Sequence, residues 1–507
     1  MLELVGTLAC AAALLSAGAR WLRVAQREHY LPGSTTRFAW RWWALRFPAQ
    51  ALALVALAAA AVAFAYPILS LATAAIVTLG PPFLGVRGRT SPLAFTRRLR
   101  LLAALWLVLQ AAVIGVGILV HHAAPFAALG ACAVPVLVDA AAAFLSPLER
   151  RLVTPYITAA RSRLAQVAPT VVGITGSFGK TSTKQHVAHL LAGSLTVVAS
   201  PASFNNRAGL ARAVNEQLVP GTDVFVAEMG TYGKGEIAEL CRWCPPAIAV
   251  ITAIGPVHLE RFKTEEAIVA AKSEITGTAH TVVLNVDDPH LAALADRLAA
   301  DGTASVVRCS AVDKAVDVFV NTAEGAVAVL VDGTVVGSGI PLPGSVQPTN
   351  LACALAVAFA LGVPHTAAIS RIAGLPMVPN RLASGEAPSG VWVIDDTFNS
   401  NPRGARVALA ELAGRAGGGR RVVVTPGMVE LGRLQFEENR AFAEEIARSA
   451  TDLVIVGYTN RRALRSGSGS LRPIYVRTRG EAVAWVRAML GPGDAVLYEN
   501  DLPDHYR

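Results

Sequence analysis

At 507 residues the chain has room for two to four domains. Its hydrophobic content of 53% and mean hydropathy of +0.46 are too high for an ordinary soluble enzyme. The net charge of +9 is local: residues 1–150 hold 12 Arg against Glu3, Glu28, Asp139 and Glu149, and the rest of the chain carries only +1. The basic balance is therefore not a nucleic-acid signature, and no nucleic-acid partner is expected.

The apolar excess lies at the N-terminus. Leu2–Ala19 is a first candidate membrane span, too long and with basic flanks on the wrong side for a removable signal peptide. Residues 47–86 contain no charge, enough for two helices of about 20 residues with Pro67 at the hairpin. Leu101–Val120 and about Pro125–Ser146 complete five predicted spans, the last interrupted by Asp139, Pro125 and Pro135. Arg20, Arg23, Arg27, Arg37, Arg41 and Arg46 separate spans one and two, and Arg87, Arg89, Arg97, Arg98 and Arg100 separate spans three and four. Arg150 and Arg151 follow span five, whereas the connections at Pro67 and His121-His122 carry no Arg or Lys. The positive-inside rule puts the N-terminus outside and residues 150–507 in the cytoplasm, in a multi-pass protein of the inner membrane. Tyr30, Trp40, Trp42 and Trp43 suit interfacial anchors, and Asp139, an acid at membrane depth, is expected to face a partner or pathway.

From Val171 onward short apolar runs alternate with helical patterns. Strands are predicted at Val171–Thr175, Val224–Ala227, Ile248–Ile254 and Thr281–Val286, with helices at Ala208–Gln217, Gly235–Arg242, Glu265–Thr276 and Pro289–Ala299. That pattern is a parallel sheet covered on both faces. Val331-Asp-Gly-Thr334 predicts a hairpin turn, and Asn350–Leu361 a helix of small residues. After a Pro/Gly/Ser-rich break at Met377–Ser389, strands at Val391–Asp395, Arg421–Thr425, Leu453–Val456 and Ala495–Tyr498 alternate with helices at Ala405–Arg415, Leu434–Ala447 and Arg479–Leu490. The expected organisation is an α-helical transmembrane bundle over 1–150, a central α/β domain over 151–376, and a C-terminal Rossmann-like α/β domain over 377–507. Cys241-Arg-Trp-Cys244 has metal or redox spacing, but no second pair follows. Buried thiols in a reducing cytosol are the plainer reading.

Chemistry enters at Gly173-Ile-Thr-Gly-Ser-Phe-Gly-Lys-Thr-Ser-Thr183. A strand ending in a glycine-rich turn that opens a helix cradles phosphate with backbone N–H groups. The core is Gly176-Ser177-Phe178-Gly179-Lys180-Thr181-Ser182, shorter than the usual P-loop because Ile174 stands where its first glycine would fall. Lys180 would reach the β- and γ-phosphates of ATP, and Thr181 would bind Mg²⁺. Further along come Ser203-Phe-Asn-Asn-Arg-Ala-Gly209, Ala227-Glu228-Met-Gly-Thr231, Gly235-Glu236-Ile237, His258-Leu-Glu260 and Ala271-Lys272-Ser-Glu274-Ile275. Pro379-Asn-Arg381, Asp395-Asp396-Thr-Phe-Asn399-Ser-Asn401-Pro402 and Gly427-Met-Val-Glu-Leu-Gly432 complete the order.

This ordered set, over roughly residues 168–500, resembles the Mur ligase family, ATP-dependent enzymes that join a carboxylate to an amino acid or peptide amine. The likeness is nearest to the MurF type, which adds D-alanyl-D-alanine to a peptidoglycan precursor. The resemblance implies that Glu228 holds the Mg²⁺ that Thr181 also touches, and that His258 and a carbamylated Lys272 ligate a second metal. It implies adenine contact for Asn350, phosphate contact for Arg381 and ribose contact for Asp395. Lys180, Lys272 and His258 would be the catalytic set. Taken singly, each residue has a plainer role: helix cap, solvated helix face, loop cation or turn acid.

The chain departs from the pattern at both ends. Membrane spans take the place of the small domain that grips the UDP-sugar, and Leu497-Tyr-Glu-Asn-Asp-Leu-Pro503 replaces a Lys-Gly-Ser-Arg-like turn. The expected partners are therefore a small-molecule or lipid-linked peptide precursor, an amine substrate, membrane lipid and membrane cell-wall synthesis proteins. Two other classes fit parts of the sequence: a P-loop ATPase driving a membrane transporter or sensor, and a non-catalytic membrane scaffold with a ligase-like domain.

Overall fold

The computed structural model describes residues 1–41, 47–81, 84–85, 93–201, 204–323, 325–342, 346–376, 378, 381–398, 400–415, 418–502 and 506. Trp42, Trp43, Arg46, Arg87, Arg89, Ser203, Met377, Pro379, Asn380, Asn399 and Pro503, named above, lie outside the described residues. The chain divides into two compact units, residues 1–153 with 502–507, and residues 154–501.

The first unit is helical. Its elements are α1 (Leu2–Arg27), α2 (Ser34–Ala39), α3 (Ala49–Val62), α4 (Leu69–Leu79), α5 (Arg97–Leu119), α6 (Ala123–Cys132) and the start of α7 (Val134–Val167). Among the described residues only α1 and α5 are long and apolar enough to cross a membrane singly; α6 and α7 pass as a pair bent by 75°. The 40 uncharged residues between Arg46 and Arg87 do not give two helices of 20. At 14 and 11 residues, α3 and α4 are about 21 and 16 Å long, short of a hydrocarbon core of about 30 Å. The turn between them takes Ala63–Ile68 out of both helices, with Pro67 near its end.

Asp139, on α7, faces the backbone of α2. Its carboxylate accepts the N–H groups of Thr35 at 3.2 Å and Thr36 at 2.6 Å, at the open N-terminus of α2. Phe38 of that helix packs edge-on against Tyr506, with ring centroids 5.4 Å apart.

The second unit holds two sheets. The first runs through β1 (Thr170–Thr175), α8 (Lys180–Leu191), β2 (Val197–Ala199), α9 (Arg207–Gln217), β3 (Val224–Glu228), α10 (Glu236–Trp243), β4 (Ile248–Ile251), α11 (Leu259–Phe262), α12 (Glu265–Ser273), β5 (Thr281–Asn285), α13 (Pro289–Asp301) and β6 (Ser305–Ser310). It continues through β7 (Val318–Ala323), β8 (Ala326–Val331), β9 (Thr334–Pro341), α14 (Pro348–Ala360) and α15 (His365–Ser370). Its strand order is β2-β3-β1-β4-β5-β6-β7-β8-β9, parallel as far as β7 and then an antiparallel meander. The β8–β9 turn is the expected one: Asp332 and Gly333 both have positive φ, which a two-residue hairpin with right-handed strand twist requires. Every strand residue from Val171 to Thr175 and from Val224 to Glu228 is buried, because apolar clusters cover both sheet faces.

The second sheet comprises β10 (Ala383–Glu386), β11 (Trp392–Asp396), α16 (Pro402–Ala413), β12 (Arg421–Thr425), α17 (Gln435–Ser449), β13 (Asp452–Val456), α18 (Arg461–Gly467), β14 (Ile474–Val476), α19 (Arg479–Met489) and β15 (Ala495–Glu499). The order is β10-β11-β15-β12-β13-β14, all parallel except the edge strand β10. The segment Met377–Ser389, expected as a break, thus supplies that antiparallel edge.

Candidate active site

The site begins where β1 stops. In the first sheet β1 lies between β3 and β4, so successive connections leave it in opposite directions and open a crevice at its carboxyl end. Gly176 (φ 153°) and Gly179 (φ 81°) form the turn, and Lys180 is the first residue of α8. A Cβ on Gly179 would sit 2.4 Å from Asn350 Oδ1, so only glycine lets the α14 side chain lie against the loop. Ser177 Oγ donates to the Gly255 carbonyl at 3.2 Å and accepts the Gly255 N–H at 3.1 Å, tying the loop to the end of β4.

Four charged side chains gather beside this turn. Glu228, 2% exposed at the end of β3, accepts Thr181 Oγ1 at 2.9 Å, Lys184 Nζ at 2.9 Å and Asn205 Nδ2 at 3.1 Å. Burial opposes its ionisation, but Lys184 and Lys180 outweigh that and hold the carboxyl below the usual range. Lys180 Nζ donates to the Gly176 carbonyl at 2.7 Å. Desolvation lowers its ammonium to about 8; Glu228 opposes the shift and Arg381 adds to it. Lys272, 4% exposed on α12, has no hydrogen bond or ion pair from its side chain among the described residues. Burial, then the positive charge of Lys180, pushes its pKa well below the ordinary value. Burial thus favours the neutral amine, the form that reacts with carbon dioxide. Thr181 and Glu228 are hard oxygen donors of the kind Mg²⁺ takes.

His258, with φ 55° just before α11, hydrogen-bonds through Nδ1 to Glu430 of the loop after β12. Its ring stands 5.1 Å from that of Tyr232. Among the described residues no three His, Cys, Asp or Glu side chains are grouped to hold a metal, so a metal here depends on Thr181 and on a modified Lys272 as well. Cys241 and Cys244 are buried in the apolar core, where desolvation raises both thiols, as the plainer reading expected. Glu274 and Glu236 are spent on backbone: Glu274 accepts Gly235 N–H at 2.7 Å and Ala238 N–H at 3.0 Å, and Glu236 accepts Tyr232 N–H at 2.7 Å.

A cavity of about 310 Å³ adjoins the loop. Gly179, Ser182 and Asn350 line it from the first sheet's side, and Arg381, Asp396 and Arg403 from the second. Arg381 stacks over the Phe398 ring, 4.4 Å from its centroid. Of the two adjacent acids it is Asp396, not Asp395, that lines the cavity. Asp395 Oδ1 is taken by Thr397, through N–H at 3.2 Å and Oγ1 at 2.6 Å, because successive strand residues face opposite ways. Burial raises Asp396 to about 6, against the Leu382 N–H that it accepts at 3.0 Å.

Two residues escaped the sequence reading. Lys184 is one turn beyond Lys180 on α8, and its i+4 spacing was the available signal. His186, one turn beyond Ser182, lines the cavity; burial lowers its imidazole to about 4, so it is neutral there.

Residues 174–358 match the model of the Mur ligase middle domain, and residues 380–498 that of the Mur ligase glutamate ligase domain. The chain is 33% identical over 369 residues to the UDP-N-acetylmuramoyl-tripeptide–D-alanyl-D-alanine ligase of Mycobacterium leprae, covering 65% of this chain and 70% of that protein. The Mycobacterium tuberculosis enzyme of the same name is 33% identical over 376 residues, or 67% and 72% of the two chains. The crystal structure of MurF ligase from Thermotoga maritima in complex with ADP superposes with a TM-score of 0.61 at 25% identity, over 69% of this chain and 80% of that one. With the phosphate loop, the buried Glu228 and the ordered motifs on both sheets, these matches establish that the chain belongs to the Mur ligase family.

Proposed function

We propose that this chain is an ATP-dependent ligase of the MurF type, joining the amine of D-alanyl-D-alanine to the terminal carboxylate of a muramoyl-tripeptide precursor for peptidoglycan. The observation that carries the reading is the cluster of Lys180, Glu228 and Lys272 beside a nucleotide-sized cavity, in a chain whose relatives carry that activity in their names. The substrate carboxylate attacks the γ-phosphoryl group of ATP to give an acyl phosphate and ADP. The amine then adds to the acyl carbon, and phosphate leaves. Charge builds on phosphoryl oxygens, so Lys180 and the backbone N–H groups of the loop stabilise the transfer. Asn350 orients the adenine, Arg381 a phosphate, and Asp396, in place of Asp395, accepts from the ribose. Thr181 and Glu228 would hold one Mg²⁺, and His258 with carbamylated Lys272 a second; when bound, these ions supply positive charge to the same oxygens.

The domain limits proposed are 151–376 and 377–507, after an N-terminal membrane part. Five crossings remain the proposed topology if α3 and α4 each span; a re-entrant α3–α4 hairpin, which their short lengths suit better, leaves three. Both choices return the chain to the same side, so the arginine-rich segments stay cytoplasmic and the N-terminus outside. The acceptor is then presented at the membrane surface, as a lipid-linked precursor.

Full-length protein with ATP, Mg²⁺ and D-alanyl-D-alanine tests the reading against soluble UDP-linked and lipid-linked muramoyl tripeptides. Phosphate release that depends on both acceptor and dipeptide is expected, faster with the lipid-linked acceptor. ATP hydrolysis indifferent to both would favour an ATPase-driven transporter or sensor, and no hydrolysis a scaffold.

A further inference from the structure

The cavity beside the phosphate loop contains a polar group that the proposed reaction does not use. His186 of α8 is 3% exposed and lines that cavity. Its Nδ1 is sealed from solvent without a hydrogen-bond partner, and no hydrogen bond from the ring is found among the described residues. A buried polar side chain left unmatched destabilises a fold, so its presence at a cavity wall points to a ligand. With Nδ1 sealed, the ring edge that meets the cavity carries Nε2. Burial, then the neighbouring His189, lowers the imidazole to about 4, so one nitrogen holds a proton and the other a lone pair. Unmatched N–H groups are rarer in protein interiors than unmatched acceptors. The proton therefore belongs on Nε2 and the lone pair on the sealed Nδ1. His186 offers the cavity one uncharged N–H donor.

Its place along the helix tells which part of a nucleotide it meets. Gly179, Ser182 and His186 all line the cavity, and spacings of three and four put them on one face of α8, starting from its N-cap. His186 lies six residues beyond Lys180, about 9 Å along the helix axis. The positive charges stay at the loop end, where Arg381 is near enough to Lys180 to lower its ammonium. Val346, Val378 and Val407 give the cavity apolar walls. Phosphates belong with the cations, and an uncharged donor matches the other end of the nucleotide. There a purine presents flat apolar faces and ring nitrogens that accept hydrogen bonds in its plane.

We infer that His186 contacts the base of the nucleotide, its Nε2–H donating to a ring nitrogen of adenine. The inference rests on the proposed use of ATP and adds a second base contact, from α8, to the one proposed for Asn350 on α14. Those two helices pack together in one apolar cluster, which fixes the two side chains relative to each other.

Titration calorimetry of the full-length protein in detergent tests this with ADP and its 1-deaza, 3-deaza and 7-deaza analogues, each with one ring nitrogen replaced by C–H. His186→Leu should weaken ADP binding about tenfold, the scale of one hydrogen bond. One analogue should bind the parent protein about tenfold more weakly than ADP and be indifferent to His186→Leu; the other two should show the full loss. His186→Gln, whose amide nitrogen falls near the position of Nε2, should recover most of the affinity for ADP. If His186→Leu melts early, His186→Phe replaces it. Unchanged ADP affinity in the folded variant would overturn the inference. So would equal losses for all three analogues, which mark a packing role or a contact to the ribose. Failure of the parent protein to bind ADP would instead overturn the use of ATP on which it stands.

Discussion

The two units treat buried charge differently. In the N-terminal unit Asp139 accepts N–H groups at the start of α2, and Glu3 accepts the Ala124 N–H at 2.8 Å at the start of α6. Arg20 covers the last carbonyls of α4. Acids sit at helix N-termini and the base at a C-terminus, where the orphan backbone groups and the helix dipole want them. In the ligase unit some acids likewise cap helices, as Glu274 does at α10, but beside the phosphate loop charges meet one another at a strand end. Glu228 is shared by Thr181 and Lys184, Lys180 bends back onto its own loop, and the Lys272 side chain has no hydrogen bond or ion pair among the described residues. Burial of a charge is thus no sign of function by itself. What distinguishes the proposed catalytic cluster is that its charges meet one another beside a phosphate-loop cavity.

That contrast is broken most directly at Lys180. Lys180→Ala should lower ligation about 10²- to 10³-fold, the scale for one preorganised electrostatic group. Thermal stability should be unchanged or higher, because holding that ammonium out of water costs stability. Near-normal turnover by a folded variant would remove the phosphate-loop assignment. Lys272→Ala should lose activity on a comparable scale, about 10²-fold, and small carboxylates should restore part of it if the native group is a carbamate. A fully active Lys272→Arg would instead make it a plain cation.

On the other side of the comparison, Asp139→Ala should leave turnover of the soluble acceptor unaltered and cost about 1–2 kcal/mol of stability, as loss of a helix cap does. Thermal unfolding in detergent measures it. An activity loss larger than the stability loss would return Asp139 to the role of a pathway residue.

Much of the ligase unit was legible because its strands are buried on both faces and read as apolar runs between glycine-rich turns. The phosphate loop was legible because its geometry depends on residue type at each position. The α3–α4 region was not: absence of charge marks a segment as apolar but does not set where a helix ends. Which partners Asp139 holds was not legible for a related reason. Its partners are backbone N–H groups 103 and 104 positions away, and no side-chain pattern announces them. Choosing between Asp395 and Asp396 required the strand's facing, which a one-residue difference in register inverts. Strands β2, β6, β7, β10 and β14 went unpredicted; β2 and β14 are only three residues long, too short for a period to register.

The smallest expected effect concerns that same pair of acids. Asp396 is raised to about 6, first by burial and then by Asp395 and Glu411, with Leu382 N–H and Arg381 opposing. As an acceptor for a ribose hydroxyl it acts best ionised, so nucleotide affinity should fall as pH drops from 7 to 5.5. The stability effect has the opposite sign. The folded state holds this proton at pH values where the unfolded carboxyl has lost it, so Asp396 contributes most stability below the unfolded value near 3.8. That contribution is lost as pH rises through about 6. Asp396→Asn should therefore bind ADP a few-fold more weakly at pH 7, with a flatter pH profile, while melting no lower than the parent. Titration calorimetry with ADP at several pH values measures the first effect, and thermal unfolding the second. An unchanged pH profile in Asp396→Asn, alongside a flattened one in Asp395→Asn, would restore Asp395 as the cavity acid.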